Sequence, residues 1–446
     1  MNKNARLFLS YVLPSMVGML IVGSYSIVDT IFIGWSAGEL GLASVAVTWP
    51  LVMMFGAVGD MLGTGAAIII AQSRGSGNLR LARLSLGNMQ WTSNKPLHSL
   101  MMTVVKCFLT DILRLFGATD ELMPGAVRYS RILIYGNLAY MLVTGVLAVI
   151  RNDGRPVLSM WLMVGGLLLN IVMDYVFIFP LGGGVAGAAY ATVTAQMLIA
   201  VAGLAYFFTR KTALRFDLQM FKLKPKYLKN IVVSGFPSLG NQLSIIAMLF
   251  FHNYQALKYG RVDGLAAYTF IGAVESLGSL LMTGLALGVQ PLVAYLYGGG
   301  RHRRQNIIGN MGYYTAFGLG IVLMCVSVVG HDVFPAWFNL HGNAAVLAAH
   351  GLVISSTAFV LLGVIRVAGY YYQATGKITD SSLLIYGDAF VALPLCLFAL
   401  PLWFGLDGVW LAMPVSRVLL FLFVCYLWFG RKKRRPDKMQ HFSARR

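Results

Sequence analysis

Residues 8–34 read FLSYVLPSMVGMLIVGSYSIVDTIFIG, and residues 231–257 read IVVSGFPSLGNQLSIIAMLFFHNYQAL. Each is an apolar run long enough to cross a bilayer, which takes roughly 20 residues of helix. Each also carries a Pro-Ser pair, at Pro14-Ser15 and Pro237-Ser238. The spacing between those pairs recurs down the chain. Gly41-Leu42-Ala43 falls on Gly264-Leu265-Ala266, and Gly87-Asn88-Met89 on Gly309-Asn310-Met311. Phe116 falls on Phe338, and Pro180 with Gly187 on Pro401 with Gly408, so the offset stays between 221 and 223. A chain that repeats itself at such a period is built from two copies of one unit.

Working outward, apolar runs fall at 8–34, 45–71, 89–110, 130–150, 157–179 and 185–208, then at 231–257, 266–296, 309–330, 351–373, 380–404 and 406–429. Backbone in lipid must satisfy its own hydrogen bonds, so these runs are expected to be helices. The expected class is an all-α membrane protein of about twelve transmembrane helices in two repeated six-helix lobes around a central cleft. Residues 1–208 form the N-terminal lobe, 209–230 a basic cytoplasmic linker, 231–429 the C-terminal lobe and 430–446 a basic cytoplasmic tail. Six-helix halves in parallel repeat are a transporter plan, with the substrate path between them.

Composition agrees. Of 446 residues, 58% are hydrophobic and 11% charged, against about 45–50% and about 25% in a soluble domain. The net charge of +19 does not point to nucleic acid here, because basic residues collect in the cytoplasmic loops of membrane proteins. With the N-terminus inside, 26 Lys and Arg fall in inside segments and five in outside ones. The expected place is therefore a cell membrane, the inner membrane of a bacterium, with several passes and both termini cytoplasmic. The first run is too long for a cleavable signal. Cys107, Cys325, Cys396 and Cys425 sit in apolar runs without metal-ligand spacing and read as packing residues.

An ionisable residue inside a membrane helix is costly and suggests function. Asp29 lies late in the first run, among Tyr25, Val28, Ile31 and Phe32. Asp174 lies in the fifth, with Asn170 one turn earlier on the same face. Carboxylates withdrawn from water suit a cation, either a proton or a dehydrated sodium ion. Asp60, Glu275 and Gln290 are expected to line the cleft, while Arg366 and Asp388 are expected to pair with each other. The 22 Met and 12% aromatic residues suit a pliable pocket, besides ordinary filling. There is no HExxH, GxSxG or Walker A, and Gly298-Gly299-Gly300 lacks the lysine of a phosphate loop. The chain is thus expected to be no enzyme, to hold no cofactor, and to hold no metal apart from sodium at Asp29 and Asp174.

Several motifs together resemble the multidrug and toxic compound extrusion (MATE) family. They are Val28-Asp29-Thr30-Ile31-Phe32-Ile33-Gly34 with Gly41-Leu42-Ala43, Leu169-Asn170-Ile171-Val172-Met173-Asp174, residues 184–192 (GVAGAAYAT), and Gly288-Val289-Gln290-Pro291-Leu292 ending at Tyr295-Leu296-Tyr297-Gly298. The resemblance covers nearly the whole chain. It implies two six-helix lobes around a cleft, and antiport of organic, often cationic, compounds against protons or sodium. It also implies a cation-coupling set of Asp29, Asp174, Asn170 and Thr192. A second branch of the family places its carboxylate on helix 7; that run here has no acid and offers Asn241, Gln242, His252 and Asn253. The expected partners are a small organic substrate, a proton or sodium ion and membrane lipid, with no nucleic acid and a monomeric unit. A lipid-linked precursor flippase of the same fold is the first rival, disfavoured because the in-helix charges read as mostly acidic. A membrane-embedded enzyme is the second.

One stretch departs from the pattern. Residues 90–107 read QWTSNKPLHSLMMTVVKC, where the repeat partner is continuously apolar and of equal length. Two readings stay open: a compensated pair of frameshifts, or a divergent third helix with its polar end moved to the cytoplasmic side.

Overall fold

A computed structural model describes residues 3–94, 96–215 and 224–430, without the side chains of residues 26, 91–101, 104, 106, 429 and 430. Every regular element among the described residues is helical. The first lobe holds α1 (Lys3–Gly75), α2 (Leu79–Asn94), α3 (Pro96–Leu115), α4 (Met123–Asn152), α5 (Pro156–Ile178) and α6 (Gly184–Tyr206). The second holds α7 (Pro225–Gly298), α8 (His302–Val329), α9 (Phe334–Trp337), α10 (Gly342–Ser356), α11 (Phe359–Ala374) and α12 (Ile378–Gly387). It continues through a π-helical segment (Asp388–Ala392) into α13 (Leu393–Ala399), α14 (Pro401–Phe404) and α15 (Leu406–Gly430).

Two of these helices are far too long for one crossing. α1 has 73 residues and α7 has 74, about 110 Å each at 1.5 Å per residue. Each folds back at a single residue: Gly38 (φ 58°, ψ −155°) in α1 and Arg261 (φ 53°, ψ −149°) in α7. These two residues are 223 apart, so the turn sits at the same place in both copies. Each long helix therefore makes two crossings. α10 with α11 makes one bent by 48°, and Ile378–Phe404 makes one. With α4, α5, α6, α8 and α15 these make eleven, and α2 with α3 stands at the third run to complete the twelve-helix, two-lobe layout that the sequence predicts. The π segment has a local cause. Pro394 lacks the N–H that would close the preceding turn, and the ladder slips by one residue.

The stretch that breaks the repeat carries helix on both sides of Lys95, which itself lies outside the described residues. So do the side chains of Pro96 and Lys106, and the question of a frameshift falls there. Residues 216–223 of the basic linker and the tail 431–446 also lie outside.

The lobes meet chiefly through α1 and α7, and small residues let the backbones touch. A methyl on Gly65 would run into the backbone of Ile231 and Gly235, and one on Gly288 into Val12. Gly65 and Gly288 are repeat partners. Lower down, Gly75 packs on Tyr295 and Gly298 on Gln72, again partners of each other. One apolar cluster joins Phe8, Val12, Ile68 and Ala71 of the first lobe to Leu285, Val289 and Val293 of the second. This seam runs to the end of the molecule that carries Arg74 and Arg301. There the first lobe is stapled by Asp153, between α4 and α5. Its carboxylate takes hydrogen bonds from Tyr206 (2.6 Å) and Thr212 (2.7 Å) and pairs with Arg74 at 3.2 Å.

Candidate functional site

α5 wears its polarity inside out. Leu168, Val172 and Tyr175 are exposed, each by more than half, on the surface that lipid would cover. Its buried residues include Asn170, Asp174 and Ile178, one turn apart in succession. A helix in water hides its apolar stripe; this one hides an amide and a carboxylate. α1 brings Asp29 to the same interior nine residues before the turn at Gly38, and α6 brings Thr192. Helices α1, α5 and α6 all pack on one another.

Asp174 and Asn170 are fully buried, Asp29 is 7% exposed and Thr192 9%. Asp29 and Asp174 lie within electrostatic reach of each other, and both act on Tyr25 and Tyr129. Thr192 lies beside Tyr25. The structure thus gathers all four residues of the expected coupling set. Their hydrogen bonding is unfinished. Among the described residues no partner is made by Tyr25 Oη, Asp29 Oδ1, either amide atom of Asn170, either oxygen of Asp174 or Thr192 Oγ1. Each such buried atom costs about 1–3 kcal/mol, and seven in one place mark a site that wants an occupant. Six of the seven are oxygens, the donor set of a proton or a hard cation such as sodium. Among the described residues no group of three His, Cys, Asp or Glu offers a transition-metal site.

The remaining expectations divide. Asp60 is half-buried and accepts a 2.7 Å hydrogen bond from Gln242 across the lobe boundary. Glu275 is half-buried and near Arg417. Gln290 does not line a cleft. It is 1% exposed and donates at 2.9 Å to Gln373, which in turn donates to Ser234 O and Ser238 Oγ. The motif Gly288-Val289-Gln290-Pro291 is core, because the flat contact at Gly288 draws α7 against α1 and closes the space beside it. Arg366 and Asp388 do not form the expected ion pair. Asp388 pairs with Arg417 of α15, and Arg366 donates to Asn241 Oδ1 at 2.7 Å.

Two cations turn out to be buried: Arg417, to which the sequence reading gives no role, and Arg151, which it counts among the basic residues of the inside segments. Arg417 is 1% exposed in the middle of an apolar run, and Arg151 is 8% exposed at the end of α4. Arg417 is the sole charged residue between Asp407 and Arg431, which was the available signal.

The MatE family matches residues 14–176 and 237–398, two blocks set apart by the repeat offset. Multidrug export protein MepA of Staphylococcus haemolyticus (strain JCSC1435) is 24% identical over 435 residues, 96% of this chain and 94% of that protein. An outward-facing conformation of a multidrug resistance MATE family transporter of the MOP superfamily has TM-score 0.89 at 24% identity, over 97% of this chain and 96% of that one. A MOP superfamily transporter from Pyrococcus furiosus is similar to the same degree, with TM-score 0.89 at 24% identity and the same coverage. The family match spans both lobes and most of the twelve crossings, and the chain belongs to the MatE family of membrane transporters.

Proposed function

We propose that this protein is a secondary active antiporter that exports small organic compounds, cationic ones among them, against an inward flow of protons or sodium. The observation that carries the reading is the set of seven unpartnered polar atoms around Asp29 and Asp174. A cation arriving from outside completes those bonds and neutralises two carboxylates that otherwise share a dry interior. Asp29 stands on α1, whose lower half packs along the second lobe, so a change at this carboxylate is felt at the lobe boundary. Filling the site favours one arrangement of α1 and emptying it favours the other, and the difference in cation affinity drives the exchange. The resemblance of the four residues to the family's coupling set supports the same roles. The basic loops and tail support a place in a bacterial inner membrane with both termini cytoplasmic. The unit that works is one chain.

The test is ethidium efflux from vesicles holding the purified protein, under pH and sodium gradients imposed separately. The gradient that drives efflux identifies the ion. Asp29→Asn and Asp174→Asn are expected to abolish the response to that gradient. Full efflux in both variants would overturn the assignment.

A further inference from the structure

An open groove lies on the flank of the first lobe, at the end of the molecule that holds the turn at Gly38. α4 starts there, tied to α1 by the hydroxyl of Ser44, which donates to Leu122 O at 3.4 Å. The groove holds about 520 Å³ and is lined by Met123, Val127, Arg128, Arg131, Tyr135 and Tyr190 among others, room enough for a small ligand. The residues of α4 divide by face. Tyr129, Ser130 and Ile134 are buried, and Tyr129 senses the two coupling carboxylates. Arg128, Arg131 and Tyr135 are exposed. They stand three and four residues apart, on one stripe turned away from that interior.

The two arginines lack a counter-ion. Among the described residues neither Arg128 nor Arg131 is in an ion pair. Of the acids just before α4, Asp120 is paired with Arg114, and Glu121 is exposed and in no ion pair among the described residues. No side chain caps the N-terminus of α4, so the positive end of the helix adds to the same field. Arg128 and Arg131 are also two of the five Lys and Arg in outside segments, which the positive-inside bias otherwise leaves poor in cations.

The wall of α6 says which anion fits. Tyr190, Met197 and Val201 are exposed and stand seven and four residues apart on one face. α4 and α6 pack closely, with Gly136 flat against Val193, so this apolar stripe continues the groove toward the middle of the membrane. A free anion would use the guanidinium groups and nothing of the stripe. A phospholipid uses both. The guanidinium forks suit its phosphate, the tyrosines suit the head-group level, and the stripe suits an acyl chain.

We propose that this groove seats an anionic phospholipid of the outer leaflet, its phosphate between Arg128 and Arg131 and one chain along α6. The site is separate from the coupling carboxylates and from the path of any cargo. Arginines that only reached for water would act as any exposed cation on that side does; a seat depends on these two.

Equilibrium binding to the full chain in a neutral detergent tests it. The probes are fluorescent phosphatidylglycerol and phosphatidylcholine with the same chains. Wild type is expected to bind phosphatidylglycerol about thirtyfold more tightly, the effect of two arginines at about fivefold each. Arg128→Gln and Arg131→Gln are each expected to lower that ratio about fivefold, and the two together to bring it to about one. Lys258→Gln removes an exposed cation from the same side of the second lobe and is expected to leave the ratio unchanged. A wild-type ratio near one, or a fall in Lys258→Gln equal to that in Arg131→Gln, overturns the proposal. Inorganic phosphate at the concentration of the lipid is expected to leave the lipid bound. Displacement by it would make the groove a site for a free anion and overturn the lipid assignment.

Discussion

The two lobes share a backbone plan and differ in what they bury. At the repeat offset, Asp29 of the first lobe falls on His252 of the second, Asp174 on Cys396, Asn170 on Ala392 and Thr192 on Met413. In the first lobe these positions hold polar atoms without partners. In the second they are finished. His252 bonds Met248 O at 3.0 Å and stacks on Tyr268, with ring centroids 4.8 Å apart. Met413 Sδ accepts from Arg417 at 3.4 Å, and Cys396 is 6% exposed among apolar side chains. The second lobe has charges too, but its buried Asp388 answers the buried Arg417 within the same lobe. At these four positions of the repeat the first lobe leaves polar atoms without partners among the described residues, and the second lobe does not.

If that contrast is right, charge removal should do different things in the two lobes. The largest effect is expected at Asp388. Asp388→Ala strands Arg417 in the core, and losing one partner of a buried pair costs about 3–5 kcal/mol. The thermal unfolding midpoint in detergent should fall sharply. Replacing both partners, with Asp388→Leu and Arg417→Met, should recover much of the loss, because neither member of the pair is left behind. A double variant as unstable as Asp388→Ala would mean that the pair does more than satisfy itself.

In the first lobe the expected sign for stability is reversed. Asp29→Asn and Asp174→Asn remove charge from a site that has too little to pair with, so the folded state should be held or gain. The loss should appear in coupling, with the response of efflux to the driving gradient abolished. Efflux per molecule and unfolding midpoint, measured on the same samples, separate the two lobes. Equal loss of stability in Asp174→Asn and Asp388→Ala would erase the contrast.

Where the lobes are alike, matched substitutions should act alike. Gly65→Ala and Gly288→Ala each push a methyl into opposing backbone at repeat-related contacts. Overpacking of that kind costs about 1–3 kcal/mol, and the two variants should lose similar amounts in the same unfolding assay. A large effect in one and none in the other would mean that the seam is not symmetric in energy.

Much of this was legible in the residues. Hydropathy gave twelve crossings, and lipid leaves the backbone few alternatives. Asp29, Asn170 and Asp174 stood out because charge in an apolar run is rare, and spacing put the last two on one face. Three matters were not legible. Gln290 lies in a motif that reads as functional, yet only the approach of α1 at Gly288 tells that it is closed in. Arg366 and Asp388 read as a pair because both are charged and on neighbouring runs; chain order does not say that α15 brings Arg417 closer. Tyr129, which senses both carboxylates, is one aromatic among many in the membrane and carries no mark in sequence. The places that fail are those where the third dimension chooses between equally suitable partners.

The smallest expected effect lies at the two turns. Gly38 and Arg261 occupy the same point of the repeat, with positive φ and ψ near −150°. That region is open to glycine and closed to nearly every other residue. The first lobe meets the demand with glycine and the second does not. An arginine held there stores strain of about 1–3 kcal/mol, offset by whatever its side chain gains outside. Arg261→Gly should therefore raise the unfolding midpoint, by an amount at the low end of that range once the added freedom of the unfolded glycine is subtracted. Gly38→Ala, which meets no neighbouring atom within 4 Å, should lower it through the backbone alone. The two changes are the same experiment run in opposite directions on the two copies. If Arg261→Gly lowers the midpoint instead, the second hairpin is held by the arginine side chain, and the lobes differ in their turns as well as in their interiors.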